Sequence, residues 1–200
     1  MNHGVPLLHA VTDDDVLDLP DFWERARAIA TAGNVAIHLR TARRNGRTFL
    51  TTAERLRDAI PILFINDRAD VARIVEADGL HLPESGMSIE AAHNLARSTT
   101  LIGRSTHSSR DANSALTQGA DYVFLGPVWA TPSHPSGAAL GADALRGADA
   151  GLVVAIGGVS QDRVSACREA GAHGVAAITA LWKAPDPHAA AEAMLVSLVQ

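Results

Sequence analysis

Histidine, arginine and amide side chains stand where two short apolar runs end. In Ile37-His38-Leu39-Arg40, strand alternation puts His38 and Arg40 on one face, and the planar guanidinium of Arg40 suits an anionic group. An ion pair at the rim of the fold explains Arg40 equally well. The next run is followed by Asn66, whose amide suits a hydroxyl, a phosphate or Mg²⁺, although Asn is also a common helix cap. We favour a binding role for Asn66.

Two later run ends add imidazole and hydroxyl groups. His81 lies inside an apolar run, where a histidine is more often a packing residue, and Glu84 beyond it either carries a proton or faces solvent. Ser105 and His107 follow the next run, at a turn from strand to helix that suits ligand binding. We therefore prefer His107 to His81 as an acid–base residue, since imidazole accepts protons near neutral pH.

A long irregular stretch after the sixth apolar run carries a second acid–base candidate. Residues 127–140 are rich in Pro, Ser and Gly, and a loop of that length in a compact fold is usually functional. Within it, His134 either closes over a ligand as an acid or base, or is an ordinary surface histidine.

The glycine pair Gly157-Gly158 follows an apolar run and precedes Ser160, the predicted cap of a helix. Glycines let a backbone approach a ligand closely, and the unpaired N–H groups at a helix start favour an anion. A second turn of this kind follows at Ile178-Thr179. Two such turns near the end of an α/β chain predict the phosphate-binding site of a (β/α)₈ barrel.

Eight apolar runs alternate with helical patterns along the chain. The predicted strands are Pro6–Val11, Val35–Arg40, Ile62–Ile65, Gly79–Leu82, Thr100–Gly103, Tyr122–Gly126, Leu152–Ile156 and Gly174–Ala177. The predicted helices are Asp21–Thr31, Thr51–Ala59, Ala69–Ala77, Ser88–Arg97, Ser109–Gln118, Gly141–Ala148, Gln161–Ala170 and Pro187–Leu198. This alternation predicts parallel strands joined by crossover helices. Eight strands favour a closed α/β barrel, a (β/α)₈ or TIM barrel, and we expect residues 1–200 to form one such domain.

Similar short phrases recur before three of the predicted strands. They contain Asp78-Gly79, Asp121-Tyr122 and His173-Gly174, each with a polar residue between a helix end and a strand. The recurrence indicates one repeated strand–helix unit rather than two different domains.

Composition limits the function classes. The 200 residues are 47% apolar and 20% charged, and the net charge of −5 without a Lys/Arg cluster argues against nucleic-acid binding. No run approaches membrane-spanning length and the first residues lack a signal-peptide pattern, so we expect a cytoplasmic protein with no membrane partner. The single Cys167 excludes an intrachain disulfide and is expected to be a packing residue. No His or Cys spacing typical of a metal site occurs.

An ordered series of motifs resembles the superfamily of thiamine phosphate synthases and TenI-type thiazole tautomerases. The motifs are Ile65–Arg68, Gly79–Leu82, Gly103–Ser108, Gly119–Tyr122, Gly126–Ser133 and Ala155–Val159. The resemblance covers nearly the whole chain and implies a (β/α)₈ barrel that acts on a thiazole phosphate in thiamine biosynthesis. It also implies roles for particular residues: the phosphate on Gly157, Gly158, Ile178 and Thr179, and the ring oriented by Ser105 and Thr131.

The superfamily implies two different reactions. A synthase joins the thiazole phosphate to a hydroxymethylpyrimidine diphosphate and expels pyrophosphate with Mg²⁺. A tautomerase moves a proton on a thiazole carboxylate phosphate and needs no metal. Arg40 matches the synthases, but His38 and Ala42 stand where their Gln and Lys are typical. Gly86 falls where they carry a Mg²⁺-binding Asp, and His134 where they carry a Lys.

These departures remove contacts to a pyrophosphate, so the sequence favours a TenI-like tautomerase without a cofactor. Its proton would be moved by His107 or His134, because Pro127 stands where some tautomerases have a catalytic His. A Mg²⁺-dependent synthase is the first alternative, and a non-catalytic regulatory protein that binds the thiazole phosphate is the second. In each case the partner is the small-molecule thiazole phosphate. The sequence leaves open whether the protein is a homo-oligomer.

Overall fold

Eight parallel strands close into a barrel in this computed structural model, which describes residues 4–131, 138–148 and 152–200. The strands are β1 (Leu8–Val11), β2 (Val35–Leu39), β3 (Leu63–Asn66), β4 (Gly79–Leu82), β5 (Leu101–Thr106), β6 (Tyr122–Leu125), β7 (Val153–Ile156) and β8 (Gly174–Ala177). Each strand pairs with the next, and β8 pairs with β1, so the sheet has no edge. The predicted (β/α)₈ barrel is confirmed.

Helices follow the strands around the outside of the barrel. They are α1 (Asp14–Leu17), α2 (Phe22–Ala30), α3 (Gly46–Ala59), α4 (Ala69–Ile74), α5 (Ile89–Leu95), α6 (Ser109–Thr117), α7 (Asp143–Arg146), α8 (Val164–Glu169), α9 (Thr179–Trp182) and α10 (Pro187–Val199), with a 3₁₀ turn at Gln161–Arg163. Within the described ranges, no helix is long and apolar enough to cross a membrane.

One helix prediction needs correction, and two short helices were missed. Helix α3 begins five residues before the predicted start at Thr51, because the side chain of Asn45 accepts a hydrogen bond from Thr48 N and caps an earlier turn. The short helices α1 and α9 were not predicted. Each is one turn long, which is too short to show a helical period in the sequence.

The apolar residues form two layers, as strand alternation requires. Outward-facing strand residues such as Leu8, Ile37 and Leu63 pack against the helices in the larger cluster. A smaller cluster that includes Phe64, Tyr122 and Phe124 fills the barrel interior. The outer layer also holds Cys167, which is fully buried, and burial raises the pKa of its thiol to about 11.

The polar residue that recurs before three strands binds the preceding strand through its backbone. The backbone N–H groups of Asp78, Asp121 and His173 each donate to a carbonyl at the start of the preceding strand. The carboxylates of Asp78 and Asp121 also accept from the backbone N–H groups of Leu63 and Ile102. The contact gives the pairs β3–β4, β5–β6 and β7–β8 the same offset, because in each the residue after the polar one is paired with the residue after the acceptor.

Candidate active site

A cavity of about 550 Å³ opens at the carboxyl ends of the strands. Its lining includes every predicted site residue that the structure describes: Arg40, Asn66, Ser105, His107, Thr131, Gly157, Gly158, Ile178 and Thr179. His134, the other predicted acid–base residue, lies outside the described residues. Residues that lie far apart in the chain therefore meet in one place, because the carboxyl ends of parallel strands share one face of the barrel.

The glycine pair after β7 has a backbone that other residues rarely adopt. The φ angle is 92° at Gly157 and 64° at Gly158. A Cβ at Gly157 would lie 2.5 Å from Cα of Pro127, and one at Gly158 would lie 2.8 Å from the carbonyl oxygen of Ala130. Both glycines are thus required by conformation and by close packing.

Two backbone N–H groups of this turn are available to bind an anion. Among the described residues, none accepts a hydrogen bond from the N–H of Gly158 or Val159. The carbonyl of Gly158 accepts from Nη1 of Arg163 at 2.6 Å, which holds the turn and brings a positive charge to it. Ser160 has the predicted N-cap position, but its hydroxyl donates to the carboxylate of Asp162 at 2.6 Å and caps no backbone N–H.

The second turn lies beside the first. Helix α9 begins at Thr179, separated from β8 by one residue, and the N–H groups of Thr179 and Ala180 have no acceptor among the described residues. Those of Leu181 and Trp182 donate to the carbonyl of Ile178. Ile178 precedes it and also lines the cavity. The two turns together give this side of the cavity a backbone surface suited to a phosphate group.

The opposite side of the cavity carries polar side chains. Arg40 follows β2, and its backbone N–H and carbonyl both bond to the hydroxyl of buried Thr12 at 2.9 and 2.8 Å. Asn66 ends β3, and its side-chain Oδ1 lies 3.3 Å from Nδ1 of His38. His38 was expected near the mouth beside Arg40, but it is fully buried below the cavity.

Ser105 is held by a buried pair of aromatic residues. Its hydroxyl lies 2.8 Å from Nε2 of His81, and Nδ1 of His81 lies 3.0 Å from the hydroxyl of Tyr122. Burial lowers the pKa of His81 to about 3 and raises the pKa of Tyr122 well above its ordinary value. His81 is therefore neutral at physiological pH and acts through its hydrogen bonds.

His107 lies at the mouth of the cavity with defined neighbours. Its Nδ1 donates to the carbonyl of Gly126 at 2.5 Å, and its Nε2 lies 3.8 Å from the carboxylate of Glu84. In the neutral ring, donation from Nδ1 leaves the lone pair on Nε2. His107 and Glu84 therefore form a pair that could move a proton.

Three supporting residues escaped the sequence reasoning. His9 contacts His38 of the neighbouring strand, Tyr122 contacts His81, and Arg104 holds the loop after β4. One sequence feature, the glycine inside β5, indicates the large ring of Tyr122 beside it. A Cβ at Gly103, inside β5, would lie 2.1 Å from Cζ of Tyr122, and a glycine within a strand marks such close approach.

In the ranges described, no group of three or more His, Cys, Asp or Glu side chains could hold a metal ion. Mg²⁺ commonly uses only one or two protein carboxylates together with substrate phosphates. Among the described lining residues, Glu84 supplies such a carboxylate. The cavity therefore fits a magnesium ion that is shared with a phosphorylated substrate, and not one held by the protein alone.

A closed parallel barrel with a cavity at the carboxyl ends of its strands and phosphate-type turns after β7 and β8 is a (β/α)₈ enzyme fold. The family model described as thiamine monophosphate synthase matches residues 8–181, so the chain belongs to that family. The superfamily resemblance read from the motifs is confirmed, and with it a place in thiamine biosynthesis.

Relatives with assigned names agree with the family. The chain is 40% identical over 178 residues to a putative thiamine-phosphate synthase of Geobacter sulfurreducens, covering 84% of each chain. It is 36% identical over 207 residues to the thiamine-phosphate synthase of Saccharopolyspora erythraea, covering 96% of this chain and 92% of the relative. It also spans 39% of a bifunctional ThiM/ThiE protein of Symbiobacterium thermophilum at 36% identity.

Solved structures show the same fold. A thiamine phosphate pyrophosphorylase from Pyrococcus furiosus superposes with a TM-score of 0.81 at 29% identity, covering 96% of this chain and 95% of that one. A 3-hexulose-6-phosphate synthase superposes with a TM-score of 0.69 at 19% identity, a likeness of fold alone.

Proposed function

We propose that the protein is a thiamine-phosphate synthase, which transfers a hydroxymethylpyrimidine group from its diphosphate to a thiazole phosphate. The observation that carries the proposal is a single cavity with two chemically different sides. One side is a glycine backbone surface, and the other holds Arg40, Asn66 and Ser105. The names of relatives 36–40% identical to the chain support the synthase, whereas none of them supports the tautomerase that the sequence alone favoured.

The backbone side suits the phosphate of the thiazole. N–H groups of the Gly158 turn and of the start of α9 would donate to its oxygens, and Arg163 beside that turn adds positive charge. Ser105 and Thr131 also line the cavity and would orient the ring. A phosphate ester held in this way has its ring directed toward Arg40 and Asn66.

The second substrate would then lie on the polar side. The ring nitrogen of the thiazole forms a bond to the methylene carbon of the pyrimidine, the bond from that carbon to the diphosphate oxygen breaks, and pyrophosphate leaves with the bonding electrons. Arg40 would pair with the departing anion, since its guanidinium remains protonated. Among the described lining residues Arg40 is the one with a permanent positive charge.

Glu84 would help to hold a magnesium ion that arrives with the diphosphate. When bound, Mg²⁺ neutralises negative charge on the leaving group. Arg104 supports the loop that carries Glu84, donating hydrogen bonds to the carbonyl groups of Pro83 and Glu84 at 3.0 and 2.9 Å.

The test is release of pyrophosphate from the two substrates with Mg²⁺. We expect turnover by the intact chain and a loss of at least about tenfold in kcat/KM for Arg40→Gln, the size of one charged hydrogen bond. Arg43→Gln is the matched control, because Arg43 pairs with Asp15 and Asp18 and does not line the cavity. No pyrophosphate at high enzyme concentration would refute the synthase.

One observation favours proton transfer as a second candidate function. His107 lines the cavity with its Nδ1 donating to the carbonyl of Gly126 and its Nε2 3.8 Å from the carboxylate of Glu84, which would stabilise the imidazolium. Pro127, where some tautomerases carry a catalytic His, lines the cavity and supplies no acid or base. If the protein is a tautomerase, His107 is therefore its base among the described residues.

The tautomerase has its own assay, in which the ultraviolet spectrum of the thiazole carboxylate phosphate changes without metal. His107→Ala should slow this change by about 10²-fold or more, as expected for a lost general base. His134→Ala tests the other predicted base. His93→Ala is the control, since His93 bonds to the carbonyl of Gly119 on the outer helices. A rate that survives His107→Ala assigns the proton transfer elsewhere.

A further inference from the structure

Three fully buried histidines lie beneath the cavity. His9, His38 and His81 come from β1, β2 and β4, and their side chains contact one another and the rings of Phe64, Tyr122 and Phe124. Burial lowers the pKa of each, and each therefore stays neutral. A neutral imidazole has one N–H and one lone pair, so each ring must be a donor at one nitrogen and an acceptor at the other.

The first hydrogen-bond chain starts at a backbone carbonyl. Nε2 of His9 lies 3.0 Å from the carbonyl oxygen of Pro6, which can only accept, so Nε2 of His9 carries the hydrogen. Nδ1 of His9 is then a lone pair. It lies 2.8 Å from Nε2 of His38, which must therefore carry the hydrogen of that ring.

This hydrogen-bond chain ends at Asn66, which lines the cavity. Nδ1 of His38 is left as a lone pair, and the Asn66 atom placed 3.3 Å from it is Oδ1, which also carries only lone pairs. Only the NH₂ of the amide satisfies a lone pair, and a half-turn of the amide exchanges its nitrogen and oxygen positions. Asn66 therefore turns its NH₂ toward His38 and its carbonyl oxygen toward the ligand.

The second chain starts at a buried phenol. Among the described residues, the Tyr122 hydroxyl has one hydrogen-bond partner, Nδ1 of His81 at 3.0 Å. A buried hydroxyl hydrogen without an acceptor is costly, so Tyr122 donates to Nδ1 of His81. Nε2 of His81 then donates to Ser105 at 2.8 Å, and the hydroxyl hydrogen of Ser105 is directed toward the cavity.

We propose that these two chains fix the hydrogen-bond polarity of the site, making Asn66 an acceptor and Ser105 a donor toward the ligand. His9, His38, His81 and Tyr122 are positioning residues that act through Asn66 and Ser105. The polarity selects a heteroaromatic ring that offers a donor group to Asn66 and an acceptor to Ser105. Its consequence for substrates rests on the proposed function, but the polarity itself does not.

The direct test is the tautomer of each histidine in the protein without ligand. In a ¹H–¹⁵N spectrum of histidine-labelled full chain at pH 7, His9, His38 and His81 should all be neutral Nε2–H tautomers, assigned with single His→Gln variants. An Nδ1–H tautomer or a protonated ring at any of the three overturns the proposal. Because no substrate is present, this result is independent of whether the protein is a synthase.

Asn66→Asp tests whether the hydrogen-bond direction set at the Pro6 carbonyl is kept through His9 and His38. A carboxylate at this position accepts a hydrogen from Nδ1 of His38 while Nε2 still donates to His9, so His38 should become an imidazolium and His9 should keep its Nε2–H tautomer. Asn66→Ala leaves the lone pair without an opposing oxygen and should keep both Nε2–H tautomers. An unchanged His38 signal in Asn66→Asp, or a change of His9 to the Nδ1–H tautomer, contradicts a chain whose direction is set at Pro6.

The second chain is tested by a double-mutant cycle on pyrophosphate release. Tyr122→Phe and Ser105→Ala should each raise KM by about tenfold, the size of one hydrogen bond, and the double variant should be no worse than either. The ¹⁵N signal of His81 should also lose its pure Nε2–H character in Tyr122→Phe. Thr100→Val removes a buried hydroxyl bond to Ala77 away from the cavity and should leave KM unchanged. Additive effects would make Tyr122 a merely structural residue.

Discussion

At the scale of single residues, the site depends on positions where no side chain can be tolerated. Gly157 and Gly158 have positive φ angles, and the space that a Cβ would need is occupied by Pro127 and Ala130. The loop after β6 thus packs directly on the turn after β7. In this turn the N–H groups of Gly158 and Val159 have no acceptor among the described residues, so they can bind an anion.

Gly158→Ala should separate the phosphate role from ordinary backbone strain. We expect at least a tenfold loss of affinity for the thiazole phosphate, measured by titration calorimetry, because the turn must shift away from Ala130. Gly171→Ala is the matched control: its φ is 94°, nothing lies within 4 Å of the added Cβ, and it is not among the residues that line the cavity. Both should lose about 1–2 kcal/mol of stability from the left-handed backbone. Equal affinities for the two variants would contradict the assigned role.

At the scale of elements, Arg104 of β5 organises the loop that follows β4. Its guanidinium donates to the carbonyl groups of Pro83, Glu84 and Met87 at 3.0, 2.9 and 2.5 Å. A strand of the rigid barrel thereby holds a loop of the site, and the loop carries Glu84 toward His107. The backbone of this loop makes few contacts of its own, apart from Gly86 N donating to the carbonyl of Pro83.

Arg104→Met should loosen this loop selectively. Loss of three charged hydrogen bonds, each of about 1.5–3 kcal/mol before relaxation, should speed amide hydrogen exchange at residues 84–88 by at least about tenfold. The barrel strands should exchange as before. Arg97→Met is the control, because Arg97 pairs with Glu76 on the outer surface. Equal exchange in the two variants would show that the loop needs no support from β5.

At the scale of the whole molecule, neutral histidines inside the barrel tie stability to pH. The unfolded chain binds protons at these residues below about pH 6.5, whereas burial keeps their native pKa values far lower, about 3 for His81. A group whose native pKa is lowered contributes stability that is present above its unfolded pKa. That stability is lost as the pH falls below about 6.5.

Denaturant unfolding should therefore show a free energy of unfolding that falls steeply between about pH 6 and pH 4.5. Each buried histidine contributes up to about 1.4 kcal/mol per pH unit, and His9, His38 and His81 together up to about 4. A His9→Gln/His38→Gln chain should have a shallower slope, whatever its stability at pH 7. His93→Gln, on the outer surface, should keep the original slope. An unchanged slope in the double variant would show that His9 and His38 are not neutral in the native protein.

Much of this architecture follows from local sequence. Alternating apolar runs and helical patterns determine the order of the strands, because each run is short and each helix has one apolar face. The polar residues after the runs then lie at one face of the barrel, and Arg40, Asn66, Ser105 and His107 do line the cavity. Helix starts were less predictable where a cap such as Asn45 acts before any apolar period begins.

The sequence by itself therefore determined the barrel, its family and the residues at its carboxyl face. Only the tertiary structure decided which side chains meet inside: His9 with His38, and His81 with Tyr122 and Ser105. Those partners lie 24 to 41 residues apart, and their contact depends on barrel closure and on glycines that admit large rings. A histidine in an apolar strand has the same local pattern whether it packs, moves a proton or sets a hydrogen-bond direction. Its role is defined by neighbours from other strands, which local spacing does not specify.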